Sequence, residues 1–159
     1  MKGVKITRIG QTESAEKALH EGFAYRKHKL LDEGEAEQCV ISAYEVPPGK
    51  AAYPYHYHYH LKNEETFYIL SGEGLLRTPE GERKVGAGDF LFFPANEMGA
   101  HQLRNISETE MLWYLDFDTK NDLDVCYYPD SHKVGIIVGD VEENSFFLTK
   151  DQVDYYHGE

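Results

Sequence analysis

An all-β fold, a sandwich or a closed barrel, is the class this sequence predicts, and three observations predict it. From Cys39 onward, short runs rich in Val, Ile, Leu, Phe and Tyr recur along the chain, as strands do in all-β domains. Within those runs apolar and polar residues alternate, which sends successive side chains to opposite faces of a sheet. Pro47-Pro48-Gly49, Pro79-Glu80-Gly81 and Gly86-Ala87-Gly88-Asp89 punctuate them, and such residues favour tight turns. At 159 residues the chain can bury a substantial core, so we expect a single domain over 1–159. It divides into an N-terminal strand and short N-terminal helix over 1–38, a barrel core over 39–117, and a C-terminal extension over 118–159 packed on the barrel.

Taken in order, Val4, Ile6 and Ile9 suit an edge strand within residues 1–10. Thr12 or Ser14 can cap a short helix over ESAEKALHEG, with Ala15, Ala18 and Leu19 on one face and Gly22 at its end. Residues 23–38 hold no sustained period and read as a surface connection. CVISAYEV opens the barrel at Cys39, and strands are expected over 53–60, 66–71, 74–78, 83–85, 90–93, 101–105 and 111–116, the last with Trp113 and Leu115 on one face. Beyond Asp116 the chain turns polar except for an apolar run at 134–138, which suggests an added edge strand.

The formal charge of −12 comes from 16 Lys and Arg against 28 Asp and Glu. With no basic cluster, nucleic acid is excluded as a partner class. No apolar run reaches the length of a signal peptide or a membrane span, so a soluble cytoplasmic protein with no membrane partner is expected. Cys39 and Cys126 lie far apart in sequence and read as buried or half-buried thiols. The 12 tyrosines, many on alternate strand positions, favour a homodimer.

Residues 48–72 concentrate the chemistry. His56, His58 and His60 alternate and would share one strand face, with Tyr55, Tyr57 and Tyr59 on the other. A hairpin at 61–64 would return the chain through Glu65, Phe67 and Ile69 and set a carboxylate opposite the imidazoles. His101 begins a separate strand and supplies another imidazole. Imidazole nitrogens with a carboxylate oxygen suit a divalent transition metal. Tyr53, Tyr55, Phe67, Phe92, Met111 and Trp113 are candidates for an apolar pocket wall, and Tyr68 and Gln102 for supporting contacts. His20, His28, His132 and His157 are isolated and read as surface residues.

These residues resemble the two motifs of the cupin superfamily, Gly-x5-His-x-His-x3-4-Glu-x6-Gly and Gly-x5-Pro-x-Gly-x2-His-x3-Asn. His58-x-His60, four residues, Glu65, six residues and Gly72 follow the first; Gly88, five residues and Pro94, then His101, three residues and Asn105, follow the second. The chain departs from the pattern in three places. Eight residues separate Gly49 from His58, Asn96 stands at a Gly position, and the loop from Pro94 to His101 is two residues longer. The resemblance implies a double-stranded β-helix, or jelly-roll barrel, with metal inside, held by His58, His60, Glu65 and His101. Strand parity also permits His56 with His58, so His56 remains the alternative ligand; the spacing from His60 to Glu65 favours the first set. Mn, Fe, Ni, Co and Zn all fit such donors. The expected function is metal-dependent chemistry on a small oxygen-bearing metabolite, of dioxygenase, isomerase or decarboxylase type, with catalytic residues unassigned. The alternative is a module that binds metal and a small ligand, such as a sugar, without turnover.

Overall fold

The computed structural model describes residues 3–31, 34–52, 57–138 and 143–159. Its strands are β1 (Ser14–His20), β2 (Phe23–Leu31), β3 (Cys39–Val46), β4 (Tyr59–His60), β5 (Glu65–Ser71), β6 (Glu73–Thr78), β7 (Gly81–Gly86), β8 (Phe90–Phe93), β9 (Gln102–Asn105), β10 (Leu112–Thr119), β11 (Asp124–Tyr128), β12 (Lys133–Ile137) and β13 (Ser145–Leu148). Only one-turn 3-10 helices interrupt them among the described residues, so no helix there is long and apolar enough to cross a membrane.

The order β1-β2-β3-β10-β5-β8 makes a six-stranded sheet, β13-β12-β11-β4 a four-stranded one and β7-β6-β9 a three-stranded one. Neighbouring strands pair antiparallel throughout, as at β3 with β10, β5 with β10 and β6 with β9. An antiparallel bridge between His58 and His101 joins the two smaller sheets into one wall. The core lies between that wall and the six-stranded sheet: Tyr44, Val46, Phe67, Ile69, Leu112 and Tyr114 from the large sheet meet Leu76, Val85 and Leu103 from the small one. Val46, Ile69 and Leu112 are 0% exposed, and burying each stabilises the fold by roughly 1.5–3 kcal/mol relative to exposure.

Period two explains which side chains enter. On β10, Leu112, Tyr114 and Asp116 are buried while Trp113 and Leu115 alternate to the outer face. On β5, Glu65, Phe67 and Ile69 turn inward, and on β11 Asp124, Cys126 and Tyr128 do. Apolar and ionisable groups thus share one lining, apolar toward one end and polar toward the other.

Several expectations need correction. The stretch from Ser14 to His20 is strand β1 rather than a helix, because it pairs with β2 in register from Ser14↔His28 to Lys17↔Tyr25. Ladder hydrogen bonds to a neighbour outweigh the few tenths of a kcal/mol per residue of helix propensity. Residues 23–31, expected as connection, form β2 against β3. No strand forms over the described part of 1–10, where Val4 and Ile6 are almost fully exposed. The C-terminal stretch is more than a covering: β11 pairs with β4, placing Cys126 opposite His60 and Tyr127 opposite Tyr59. Glu65 consequently does not face the imidazoles across a hairpin, since β5 pairs with β10 and β8 instead. Tyr57 and Tyr59 find partners within the chain, Tyr57 under Arg77 and Tyr59 stacked on Tyr127.

Candidate metal centre

His58 is fixed by its backbone. Its N–H donates to the His101 carbonyl at 3.3 Å and its own carbonyl accepts from the His101 N–H at 2.9 Å. Two residues on, His60 shares the inward face and pairs with Cys126 of β11. His101 leaves a 3-10 turn (Glu97–Gly99) opened by Asn96, whose side chain accepts from the Met98 N–H. Glu65 comes from the opposite wall, at the first position of β5, where Phe93 and Asp118 flank it in register.

The side chains converge. Glu65 Oε2 lies 3.2 Å from His58 Nε2, 3.4 Å from His101 Nε2 and 3.7 Å from His60 Nε2. One donor atom from each of His58, Glu65 and His101 lies within 4.8 Å of the others. All four residues expected to act together are therefore at one point. His56, with Tyr53 and Tyr55, lies outside the described residues.

Two of the rings, those of His101 and His60, are oriented by a hydrogen bond on the far side. His101 Nδ1 donates to the Gly99 carbonyl at 2.8 Å, which leaves Nε2 as the lone-pair nitrogen. Gly99 packs so closely on Pro94 that an added Cβ would overlap the Pro94 carbonyl oxygen. His60 Nδ1 meets Asp124 Oδ2 at 2.5 Å, while Asp124 Oδ1 accepts the Lys62 N–H at 2.8 Å. Phe93 stacks on His101 at 3.6 Å between centroids, and Phe67 meets it edge-on at 5.3 Å.

Protonation follows from these surroundings. Burial pushes His101 down to about 3 against the opposing charge of Glu65, so it stands neutral. Burial would likewise lower His60, but Glu65 and the hydrogen bond to Asp124 outweigh it and raise the ring to about 11. Burial favours the neutral acid at Glu65, yet the positive charge that His58, His101 and His60 can carry holds the carboxyl well below the ordinary range. Beyond it lie Asp116 and Asp118, each offering an oxygen within 4.8 Å of Glu65 and of each other. Burial, then the neighbouring carboxylates, pushes Asp116 well up and Asp118 up to about 6.

Of the imidazole nitrogens that face Glu65, His101 Nε2 is buried and has no hydrogen-bond partner. A buried lone pair left unmatched costs about 1–3 kcal/mol, and a divalent metal is the species that imidazole and carboxylate donors accept together. The donor set therefore fits a metal. Cys126 adds a sulfur, since its Sγ, His58 and His60 also place donors within 4.8 Å of one another.

The cupin domain family model matches residues 42–117. Those residues are a cupin domain. They hold most of β3 through most of β10, and with them His58, His60, Glu65 and His101. No curated protein sequence matches the chain. Among solved structures, a candidate sugar phosphate isomerase from Acidithiobacillus ferrooxidans is 28% identical with a TM-score of 0.77, covering 92% of this chain and 91% of its own. A cupin-superfamily sugar phosphate isomerase from Silicibacter pomeroyi is 20% identical at a TM-score of 0.79, covering 96% and 98%. A predicted oxalate decarboxylase from Thermotoga maritima is 20% identical at 0.62, over 74% of this chain and 100% of its own; these last two show a shared fold.

The cupin domain departs from the sequence reading at its margins. Phe92 is 52% exposed and Tyr68 39%, so neither lines nor supports the site; Trp113 stacks on His28 on the outer face. Gln102 alternates away from His101 and pairs in register with Arg77. His28 is not a surface residue but is buried against Glu45, at 2.5 Å, and Thr12. Asp116, Asp118, Asp124, Cys126 and Gly99 were not anticipated. The signal for the acids was available, because Asp116 and Asp118 continue the inward alternation of Leu112 and Tyr114.

Proposed function

We propose that this chain is a metal-dependent enzyme in which His58, His60, Glu65 and His101 hold one divalent transition metal, and that it isomerises a small phosphorylated sugar or a similar oxygen-rich metabolite. The observation that carries the metal is the approach of the three imidazole Nε2 atoms to one Glu65 oxygen at 3.2–3.7 Å. A metal in that position supplies Lewis-acid polarisation of a bound oxygen. The protein supplies the rest: Gly99 and Asp124 orient His101 and His60, Phe93 and Phe67 wall His101 from solvent, and the acids of β10 present oxygen atoms to whatever enters. Isomerisation is favoured over oxidation or decarboxylation by the 28% identity, across nearly the whole of both chains, to the candidate sugar phosphate isomerase.

Protein purified without an affinity tag should carry close to one divalent metal per chain by elemental analysis, and should interconvert aldose and ketose phosphates with solvent deuterium entering the product. Absence of metal that persists after reconstitution would overturn the metal site. Full metal occupancy with ligand-induced stabilisation but no turnover would favour the binding module instead.

A further inference from the structure

Three carboxylates share the barrel interior beside the imidazoles, and the proposed metal chemistry employs only Glu65. Asp118 is the register partner of Glu65 and Asp116 that of Phe67. Asp116 is only 6% exposed, yet its Oδ1 has no hydrogen-bond partner, and the Oδ1 of Asp118 has none either. At the corner shared with the imidazoles, His101 is 2% exposed and its Nε2 is also unpartnered. Buried acceptors without donors are rare and costly, and here they lie side by side.

The chemistry of the missing partner can be read from what surrounds it. Asp116 and Asp118 share one hydrogen bond with each other, Asp116 donating its carboxyl proton, and both Oδ1 atoms stay outside it as acceptors, so the partner must bring hydrogens. Positive charge is already at hand, because the Lys27 ammonium lies over the Tyr44 ring and acts electrostatically on both Asp116 and Asp118. What is lacking is neutral donors, and hydroxyl groups are the neutral donors of a small oxygen-rich molecule. The cluster has an approach: Glu65 and His60 keep 12% and 16% side-chain exposure, and Asp118 is half-buried.

We propose that Asp116 and Asp118 bind the hydroxyl groups of a polyhydroxylated substrate, aligning its carbon chain while a neighbouring oxygen lies at the imidazoles. The pair acts as the specificity element of the site and contacts the substrate directly. This assignment rests on the metal reading above. It selects polyols and sugar phosphates over plain acids or aromatic ligands, since each hydroxyl satisfies an acceptor that such ligands leave bare.

The test uses the full chain loaded with Mn(II), titrated calorimetrically with xylitol 5-phosphate, sorbitol 6-phosphate and, as the hydroxyl-free control, butyl phosphate. Wild type should bind a polyol phosphate in preference to butyl phosphate. Asp116→Ala and Asp118→Ala should weaken that binding by roughly tenfold to a hundredfold, as expected for loss of a hydrogen bond to a charged acceptor, with one Mn(II) still bound. Asp116→Asn provides a near-isosteric variant should the alanine variant fail to fold. Equal affinity for butyl phosphate and the polyol phosphates in wild type would overturn the assignment, as would unchanged polyol affinity in the folded variants. A second Mn(II) equivalent in wild type, lost in Asp116→Asn, would overturn it in favour of a cation site. Wild type binding no Mn(II) at all would overturn the metal reading first, a result distinct from each of these.

Discussion

His58 and His101 exchange both backbone hydrogen bonds across a single antiparallel bridge, His101 N–H to His58 carbonyl at 2.9 Å and the reverse at 3.3 Å. The pair closes the seam between the two smaller sheets, so the same contact that completes one wall of the barrel also sets two imidazoles side by side. Residues paired this way point to the same face of a sheet, and their ring centroids are 4.7 Å apart. Donor spacing is therefore built into the backbone rather than left to side-chain rotamers. Elements of a scaffold hold such constellations more tightly than loops do.

Because that bridge is made by main-chain atoms, truncating the imidazole should spare the fold. His101→Ala is expected to abolish metal binding, by on the order of a hundredfold or more, beyond the ten- to hundredfold typical of outer partners. Its far-ultraviolet circular dichroism should match wild type. His157, exposed at the opposite extreme of the chain, serves as control, and His157→Ala should change neither. Equal metal loss in both variants would contradict the placement of the site.

Asp124 should act through His60 rather than on the metal. It holds the ring by Nδ1 and is itself held by the Lys62 amide. Asp124→Asn keeps the shape but weakens the charge-assisted hydrogen bond, so metal affinity should fall by about tenfold to a hundredfold with no change in metal stoichiometry. Titration calorimetry distinguishes this from a ligand, whose loss would remove binding.

How far the sequence alone revealed this arrangement depends on the scale at which contacts act. Spacing rules are local, and the runs from His58 to Gly72 and from Gly88 to Asn105 suffice to bring out the histidines, Glu65 and a barrel of short strands. Strand β3 and strand β8 have the bounds their alternation suggests. What escaped is set by long-range pairing. Ser14–His20 has the composition of a helix and becomes a strand only because β2 lies beside it. Asp124 and Cys126 reach the site only because β11 pairs with β4 across more than sixty residues of chain, and no local pattern announces that register. Gly99 matters through contact with the carbonyl of Pro94, which the longer loop between the two motif halves concealed.

Metal binding should release a proton. In the metal-free protein His60 is held protonated up to about 11 by Glu65 and Asp124 after burial is overcome, whereas coordination through Nε2 requires that nitrogen to be bare. Below that value metal and proton compete, so affinity should rise about tenfold per pH unit as pH increases and fall correspondingly on acidification. Glu65, held low, and His101, already neutral, add little to the slope near neutral pH. Indicator-dye measurements at pH 8 should find about one proton released per metal bound, and pH-independent affinity without release would rule the coupling out.

The ligand set itself can be read optically. Cobalt(II) bound by three imidazoles and Glu65 has no thiolate donor, so the loaded protein should lack the intense near-ultraviolet thiolate-to-cobalt charge-transfer band. Cys126 makes this a real choice, because its sulfur sits with His58 and His60 in a second grouping of donors within 4.8 Å. Softer metals prefer such a sulfur. The harder carboxylate should nevertheless prevail for Co(II) and Mn(II), because only the Glu65 set also engages the unpartnered Nε2 of His101. Cys126→Ser should therefore leave the visible d–d spectrum unchanged and the affinity for Co(II) within about twofold of wild type, or about 0.4 kcal/mol. A charge-transfer band that disappears in Cys126→Ser would instead place the metal against β11, with His58, His60 and the thiolate as its ligands and Glu65 left to the substrate.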